Sequence, residues 1–224
     1  MNRGHLLHRL HVTAQAALAL AAFDEAAIVL RSLPETDNPW PRRNLAGVLL
    51  NTANLRLDLN CLDEAASSAR EGLNLVMPAE RSHEVDAELA LKARRVLCDA
   101  IGRIVVAPDV DYESLAREAS DLVDDAMAVT RDWAGRGNTS FVFLAQRFFR
   151  FGVQLYRFHQ PQFLAEFVRE NLASDPEFRA IALEAVNAAL ADRPSGFLVV
   201  GDPASERRLE TWRDLASLRA DLVA

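Results

Sequence analysis

The chain has 224 residues, half of them hydrophobic, and carries 25 lysine and arginine residues against 32 aspartate and glutamate residues. The resulting formal charge of -7 argues against nucleic-acid binding, because an acidic protein is repelled by a phosphate backbone. Cys61 and Cys98 stand apart from any Cys-x-x-Cys motif, which argues against a disulfide framework or a zinc site. Glycine and proline number only nine each, and this favours an all-helical fold.

The N-terminal segment has some features of a signal peptide, because Arg3 and Arg9 precede the weakly apolar run from Val12 to Ala22. Thr13 and Gln15 interrupt that run, and a similar stretch recurs further along the chain. We therefore expect a cytoplasmic protein. No apolar run approaches the ~18 uncharged residues of a membrane-spanning helix, so we expect no membrane association.

Apolar periodicity, helix-start residues and prolines predict about ten helices, and their short connections favour antiparallel packing of neighbours. The predicted helices span residues 4–21, 23–33, 41–58, 61–76, 81–104, 111–133, 139–158, 160–172, 175–191 and 204–222. The apolar run from Phe197 to Val200 is predicted to be extended. We expect a single helical-repeat domain over residues 1–224, with helix pairs in 1–134 and divergent pairs and a C-terminal capping helix in 138–224.

An internal repeat appears when the sequence is compared with itself at an offset of 39 residues. Nine of the 19 positions from 13 to 31 are identical to their counterparts from 52 to 70. The identities include a block of Asp-Glu-Ala-Ala, which follows a leucine-rich helix in both copies. A repeat of this length predicts a unit of two helices.

Residues 10–78 resemble the tetratricopeptide repeat family, which places small residues on both helices of a pair. The residues that carry the resemblance are Leu10, Thr13, Ala14, Ala17, Ala26, Leu30 and Pro34 in the first unit, and Leu49, Thr52, Ala53, Arg56, Ala65, Ala69 and Pro78 in the second. The resemblance implies antiparallel helix pairs stacked into a right-handed α-α superhelix. Such a stack has a concave groove that binds a peptide or helix of another protein.

The same resemblance implies that the first helix of each pair lines the groove. The groove candidates are His8, His11, Gln15, Asn54 and Asp58. Polar side chains on such a face suit recognition of a peptide backbone, although ordinary solvated surface is an equal alternative. His5 and His8 have a spacing that brings them together on a helix, but a third ligand is absent nearby, so we predict no metal site.

The segment from 141 to 167 is rich in aromatic residues beyond what one helix face needs. Burying each such side chain contributes about 1.5–3 kcal/mol, so we expect most of them to be buried. Core packing is the favoured interpretation. The alternatives are a homodimer interface and a hydrophobic pocket.

A basic helix face is interleaved with these aromatic residues. It consists of Arg147, Arg150, Gln154 and Arg157, which recur at steps of three and four. These side chains suit an acidic or carboxylate-bearing peptide. The alternative is an exposed charged face that pairs with nearby acidic side chains, such as those of Glu166, Glu170, Asp121, Asp124 and Asp125.

The sequence contains no arrangement of residues that spacing supports as a catalytic site, and we predict neither an enzyme nor a cofactor. The predicted function is a protein-protein interaction scaffold, such as an adaptor, a regulator or a chaperone, which binds a segment of a partner protein. The alternative is a dimeric helical regulator that binds a small ligand in the aromatic region 141–167. A helical enzyme with a site hidden by the fold is a third possibility.

Overall fold

A computed structural model describes residues 3–34, 38–104, 112–172, 176–191 and 203–223 of the chain, and regular structure among these residues is entirely helical. The predicted all-α class is therefore confirmed for the described part of the chain. The α-helices are α1 (Arg3–Ser32), α2 (Trp40–Asp58), α3 (Leu62–Val76), α4 (Glu84–Ile104), α5 (Tyr112–Gly135), α6 (Ser140–His159), α7 (Leu164–Asn171), α8 (Pro176–Ala191) and α9 (Pro203–Val223). Single 3-10 turns precede α4 at Met77–Ala79 and α7 at Pro161–Phe163.

The helices group into two compact units. The first unit, Met1–Tyr112, contains α1 to α4, and the second, Glu113–Ala224, contains α5 to α9. Within the described ranges, no helix is both long enough and apolar enough to cross a membrane. The predicted extended run from Phe197 to Val200 lies outside the described residues.

In the first unit, α2 and α3 form an antiparallel hairpin. Asn60 ends α2 with a φ of 60°, a left-handed conformation that asparagine tolerates better than most residues. Gly72 then lets α3 approach α2 closely, since a Cβ at this position would lie 3.4 Å from the Ala46 carbonyl oxygen and 3.6 Å from Leu49 Cβ. The predicted helix pair at 41–58 and 61–76 is present, with small residues at the contact.

The predicted pair at 4–21 and 23–33 is wrong, because α1 is one continuous helix from Arg3 to Ser32. The repeat places Ala21 at the position of Asn60, where the second copy turns. Alanine is the best helix former and rarely adopts a positive φ. The first copy therefore continues as a helix where the second copy turns, despite the identities on both sides.

Two buried charge clusters fix α4 in the first unit. Arg94 is almost fully buried and donates two hydrogen bonds to the Glu80 carboxylate, at 2.5 and 3.0 Å. The Asp86 carboxylate is fully buried and accepts hydrogen bonds from Arg43 at 2.8 and 3.0 Å, and from Arg42 at 3.2 Å. Both carboxylates are thus neutralised by arginines, as buried charges require.

The core of the second unit is largely aromatic. Phe149 lies 5.7 Å from Phe167 and 4.9 Å from Phe178 between ring centroids, and Tyr156 lies 4.8 Å from Phe167. These four side chains are buried, and the core interpretation of the aromatic segment 141–167 is confirmed for the three that belong to it, Phe149, Tyr156 and Phe167. Phe143, Phe158 and Phe163 are exposed instead.

Gly152 on α6 makes this aromatic packing possible. A Cβ at this position would lie 2.7 Å from Phe167 Cε1 and 2.9 Å from Val123 Cγ1. Real Cβ atoms do not approach neighbours so closely, and Phe167 cannot swing away because Phe149 and Tyr156 enclose its ring. The glycine therefore sets the separation of α6 from α5 and α7.

Candidate functional site

The groove candidates of the first unit lie on α1 and α2. His8 and His11 belong to α1, but their side chains are outside the described part of the structure. Gln15 is exposed on the same helix, and Asp58 is exposed at the last position of α2. Asn54 is engaged within the fold, since its amide donates to the Leu50 carbonyl oxygen at 2.8 Å and accepts from Arg95 at 2.7 Å.

The basic face predicted on α6 is present on the outer side of that helix. Arg147 and Arg150 are exposed, while Gln154 and Arg157 are half-buried. The Arg150 guanidinium lies 3.8 Å from the exposed carboxylate of Glu177, and that of Arg157 stacks 4.6 Å from the centroid of the Phe158 ring. Exposed ion pairs of this length contribute little to stability, so Arg150 stays accessible to another partner.

A pocket of about 390 Å³ opens in the second unit. Its walls combine carboxylates, aromatic rings and a few neutral polar groups. We call it the acidic pocket, and its lining residues are Arg117, Ser120, Asp121, Asp124, Tyr156, Gln160, Phe163, Glu166, Phe167 and Glu170. With four carboxylates and one guanidinium, the lining is strongly negative.

Helical spacing explains how the sequence builds this pocket. On α5, the lining residues from Arg117 to Asp124 recur at steps of three, one and three, which places them on one helix face. The same steps recur from Phe163 to Glu170, through the 3-10 turn and α7. Tyr156 and Gln160 extend the wall at the end of α6.

Hydrogen bonds tie the α5 wall to its neighbours. The Tyr156 hydroxyl donates to Asp124 Oδ2 at 3.1 Å, which links α6 to α5. Further along α5, Arg131 donates to the Glu170 carbonyl oxygen at 2.9 Å and to Asn171 Oδ1 at 2.8 Å, and these hydrogen bonds link α5 to α7. The pocket walls are therefore held by the fold before any ligand arrives.

Asp124 has an unfavourable electrostatic environment. Burial raises the pKa of its carboxyl, and the charges of Glu170, Asp121 and Asp125 raise it further, against the opposing effect of the Tyr156 hydrogen bond. Burial also raises the pKa of Tyr156, with a contribution from the charge of Asp124, so its hydroxyl stays protonated and keeps donating. A positive group in the pocket would relieve this concentration of negative charge.

The sequence-based interpretation missed this site. It considered Asp121, Asp124, Asp125, Glu166 and Glu170 only as pairing partners for the arginines of α6. The structure instead places four of these carboxylates around one pocket and leaves Asp125 outside its lining. A signal was present in the closely spaced carboxylates of each wall, Asp121 with Asp124 and Glu166 with Glu170, but spacing alone does not show that two helices face each other.

The chemistry of the acidic pocket suits an organic cation. Carboxylates attract a guanidinium or ammonium group, and the exposed ring of Phe163 offers cation-π and apolar contact to that group and its carbon chain. In the part of the chain that the structure describes, no three histidine, cysteine, aspartate or glutamate side chains are arranged to hold a metal ion.

Comparison with known proteins assigns the chain to no family. No protein-family model matches the sequence, and no curated protein matches it at a significant level.

Proposed function

We propose that this chain is a protein-protein interaction scaffold, and that the acidic pocket binds a lysine or arginine side chain from a peptide or helix of the partner. The observation that carries this proposal is the convergence of Asp121, Asp124, Glu166 and Glu170 with aromatic rings around a pre-formed pocket. The stacked superhelix implied by the resemblance of residues 10–78 to tetratricopeptide repeats belongs to the same proposal.

The electrostatics of the pocket support a binding role over a structural one. A carboxylate that only served the fold would gain an opposite charge on folding, as Asp86 does with Arg42 and Arg43. Asp124 accepts a hydrogen bond from Tyr156 but otherwise gains like charges, those of Glu170, Asp121 and Asp125. A protein commonly accepts such local cost where a ligand later supplies the missing charge.

The proposal is tested with immobilised peptides that contain a single arginine at varied positions, each matched to a peptide with neutral citrulline at that position. We expect the chain to bind a subset of the arginine peptides and to lose about tenfold or more in affinity for their citrulline counterparts. Asp124→Asn should weaken binding of the same peptides by a similar factor. Asp125→Asn, the adjacent aspartate outside the lining, is the matched control.

Equal binding of the arginine and citrulline peptides would contradict the proposal. So would an Asp125→Asn variant that loses as much affinity as Asp124→Asn, because that result would reflect the general charge of α5 instead of the pocket.

A second candidate function is binding of a small organic cation by a helical regulator. The volume of about 390 Å³ favours it, since small-molecule sites typically measure about 300–1,000 Å³. Titration with spermidine and with arginine methyl ester, followed by amide chemical shifts, distinguishes the two functions. Micromolar binding of a free cation at residues of the pocket, without tighter binding of any peptide, would favour this second candidate.

A further inference from the structure

Arg117 brings one positive charge to the otherwise acidic lining of the pocket. Its side chain is exposed on α5 and, among the residues that the structure describes, forms no ion pair with a carboxylate. Asp121 follows it by four residues on the same helix, but an arginine placed before an acidic residue is the less favourable order for such a pair. The guanidinium is therefore available to an anion that a ligand supplies.

The acidic pocket has two distinct ends, because α5 and the segment from Gln160 to Asn171 run side by side in the same direction. The Ser120 hydroxyl oxygen lies 3.4 Å from Gln160 Oε1, and Arg131 donates to Asn171 Oδ1 at 2.8 Å. Eleven residues separate the two contacts on α5, and eleven separate them on the other segment. The lining residues are therefore ordered along the pocket as they are ordered along the chain.

Hydrogen-bond donors gather at the end where the two segments begin. Arg117 lies there on α5, one turn before the residue that contacts Gln160. Gln160 adds a side-chain amide, and its nitrogen donates no hydrogen bond within the described part of the chain. A guanidinium and a primary amide offer several N–H donors together, which suits a carboxylate.

The opposite end of the pocket is negative. Asp124 follows Arg117 by seven residues, which is about 10 Å along the axis of α5. Glu170 lies close enough to Asp124 for its charge to raise the pKa of the Asp124 carboxyl. The exposed ring of Phe163 lies on the opposite wall, between Gln160 and the glutamates in the order of the chain. The pocket therefore suits a ligand with an anion at one end, a carbon chain, and a cation at the other end.

An arginine or lysine at the carboxyl terminus of a protein has this arrangement of charges. In arginine, six bonds of about 1.5 Å join the carboxylate carbon to the guanidinium carbon, and they span about 7–8 Å when extended. This length fits between the two ends of the pocket. A basic residue inside a chain has a neutral peptide group in place of the carboxylate, and it would leave Arg117 without an anion.

We propose that the acidic pocket binds the last residue of the partner protein, an arginine or lysine with a free α-carboxylate. The α-carboxylate accepts hydrogen bonds from Arg117 and Gln160. The carbon chain packs on Phe163, and the terminal cation lies between Asp124 and Glu170. This inference rests on the proposed function and adds to it which of the partner's basic residues is bound.

A free basic amino acid carries the same carboxylate and side chain, but it also has an α-ammonium group. That group would bring a second positive charge next to Arg117, where a peptide has a neutral amide. We therefore assign the site to a peptide terminus.

The test uses a short glycine-serine peptide that ends in arginine, prepared with a free α-carboxylate and with an amidated one. Two further peptides replace the arginine by citrulline, or extend the chain beyond the arginine by a few glycines. Titration into the full chain, followed by amide chemical shifts, gives each Kd. We expect the free carboxylate to bind about fivefold more tightly than the amide, which is the gain of one exposed ion pair. The extended peptide should bind like the amide.

Arg117→Gln assigns this difference to one side chain. The variant should bind the free carboxylate about fivefold more weakly, and the amide unchanged or more tightly, because it removes a positive charge close to the bound cation. It should still prefer arginine to citrulline, since the carboxylates of the pocket remain. Arg179→Gln is the matched control, because Arg179 is an exposed arginine on α8 outside the lining, and it should bind all four peptides as the wild type does.

The outcomes separate this inference from the proposed function. Equal binding of the free carboxylate and the amide, with weaker binding of the citrulline peptide, would overturn the inference and leave the proposed function intact. Equal binding of the arginine and citrulline peptides would contradict both. A preference for the free carboxylate that persists in Arg117→Gln would overturn the assignment of the carboxylate to Arg117, and free arginine that binds as tightly as the peptide would overturn the assignment to a partner's terminus.

Discussion

The two units give the carboxylates of Asp86 and Asp124 opposite electrostatic surroundings, although Asp86 is fully buried and Asp124 is exposed at the wall of the acidic pocket. In the first unit, burial by itself would raise the pKa of Asp86, but the hydrogen bond from Arg43 and the charges of Arg42, Arg43 and His83 hold it below its ordinary value. In the second unit, burial and neighbouring carboxylates raise the pKa of Asp124. The comparison separates carboxylates that stabilise the fold from those that the fold tolerates, and we interpret the latter as a binding site.

The largest expected effect is the loss of the buried charge pair between Arg94 and Glu80. Arg94→Met should lower the free energy of unfolding by about 3–5 kcal/mol, because the buried Glu80 carboxylate loses its bidentate partner. Urea denaturation followed by circular dichroism measures the change. The double variant Arg94→Met with Glu80→Met should recover most of the loss, and a double variant as unstable as the single one would contradict this account.

Asp86→Asn is expected to lower the free energy of unfolding by about 2–4 kcal/mol, because the carboxylate loses its charge while two arginines stay directed at it. The pH dependence follows from the lowered pKa. The contribution of Asp86 is fully present above the unfolded-state pKa of about 3.9, and it is lost as the pH falls through the lower folded-state pKa. The stability difference between wild type and variant should therefore narrow in acid, and a constant difference down to pH 2 would contradict it.

A smaller effect on stability is expected at Gly152, where the packing of uncharged side chains shapes the acidic pocket. Gly152→Ala should lower the free energy of unfolding by about 1–3 kcal/mol, since the added methyl group collides with Phe167 and Val123. Displacing Phe167, which lines the pocket, should also weaken binding of arginine peptides. Gly102→Ala, at a helical position with no neighbour within 4 Å, is the control and should be neutral or stabilising.

The smallest effect on stability is expected at Asp124. Asp124→Asn should leave the free energy of unfolding unchanged or raise it by less than about 1 kcal/mol, because it removes repulsion from neighbouring carboxylates that solvent largely screens at this exposed side chain. The pKa of Asp124 is higher in the folded state than in the unfolded state, so the folded state takes up a proton at higher pH. The stabilisation by Asp124→Asn should therefore be present at neutral pH and vanish as the pH falls through the folded-state pKa. A loss of several kcal/mol at pH 7 would place Asp124 among the stabilising carboxylates and remove the contrast between the units.

The raised pKa of Asp124 also predicts how the binding of arginine peptides depends on pH. Arginine peptides should bind more tightly as the pH rises and Asp124 ionises, whereas the Asp124→Asn variant should show a flatter profile. Affinity measured between pH 4 and 8 tests this expectation.

Local signals in the sequence determined the helical class and most helix positions. Helix α8 begins at Pro176, one residue after its predicted start, and the predicted break between residues 158 and 160 is present, although a 3-10 turn delays α7 until Leu164. These features depend on periodicity and on residues that start or interrupt a helix, which act over one or two turns. The hairpin of α2 and α3 is equally local, because Asn60 supplies its turn.

The sequence did not determine which helix faces meet. Asp124 and Glu170 are 46 residues apart, and nothing in the spacing of either helix shows that they line one pocket. Nine identities predicted a second hairpin in α1, yet the single difference between Ala21 and Asn60 outweighs them, because a turn depends on the backbone of one residue. Only the tertiary structure shows that Leu57 is buried while Leu18 is exposed, since burial depends on the helix that covers a residue and not on the residue itself.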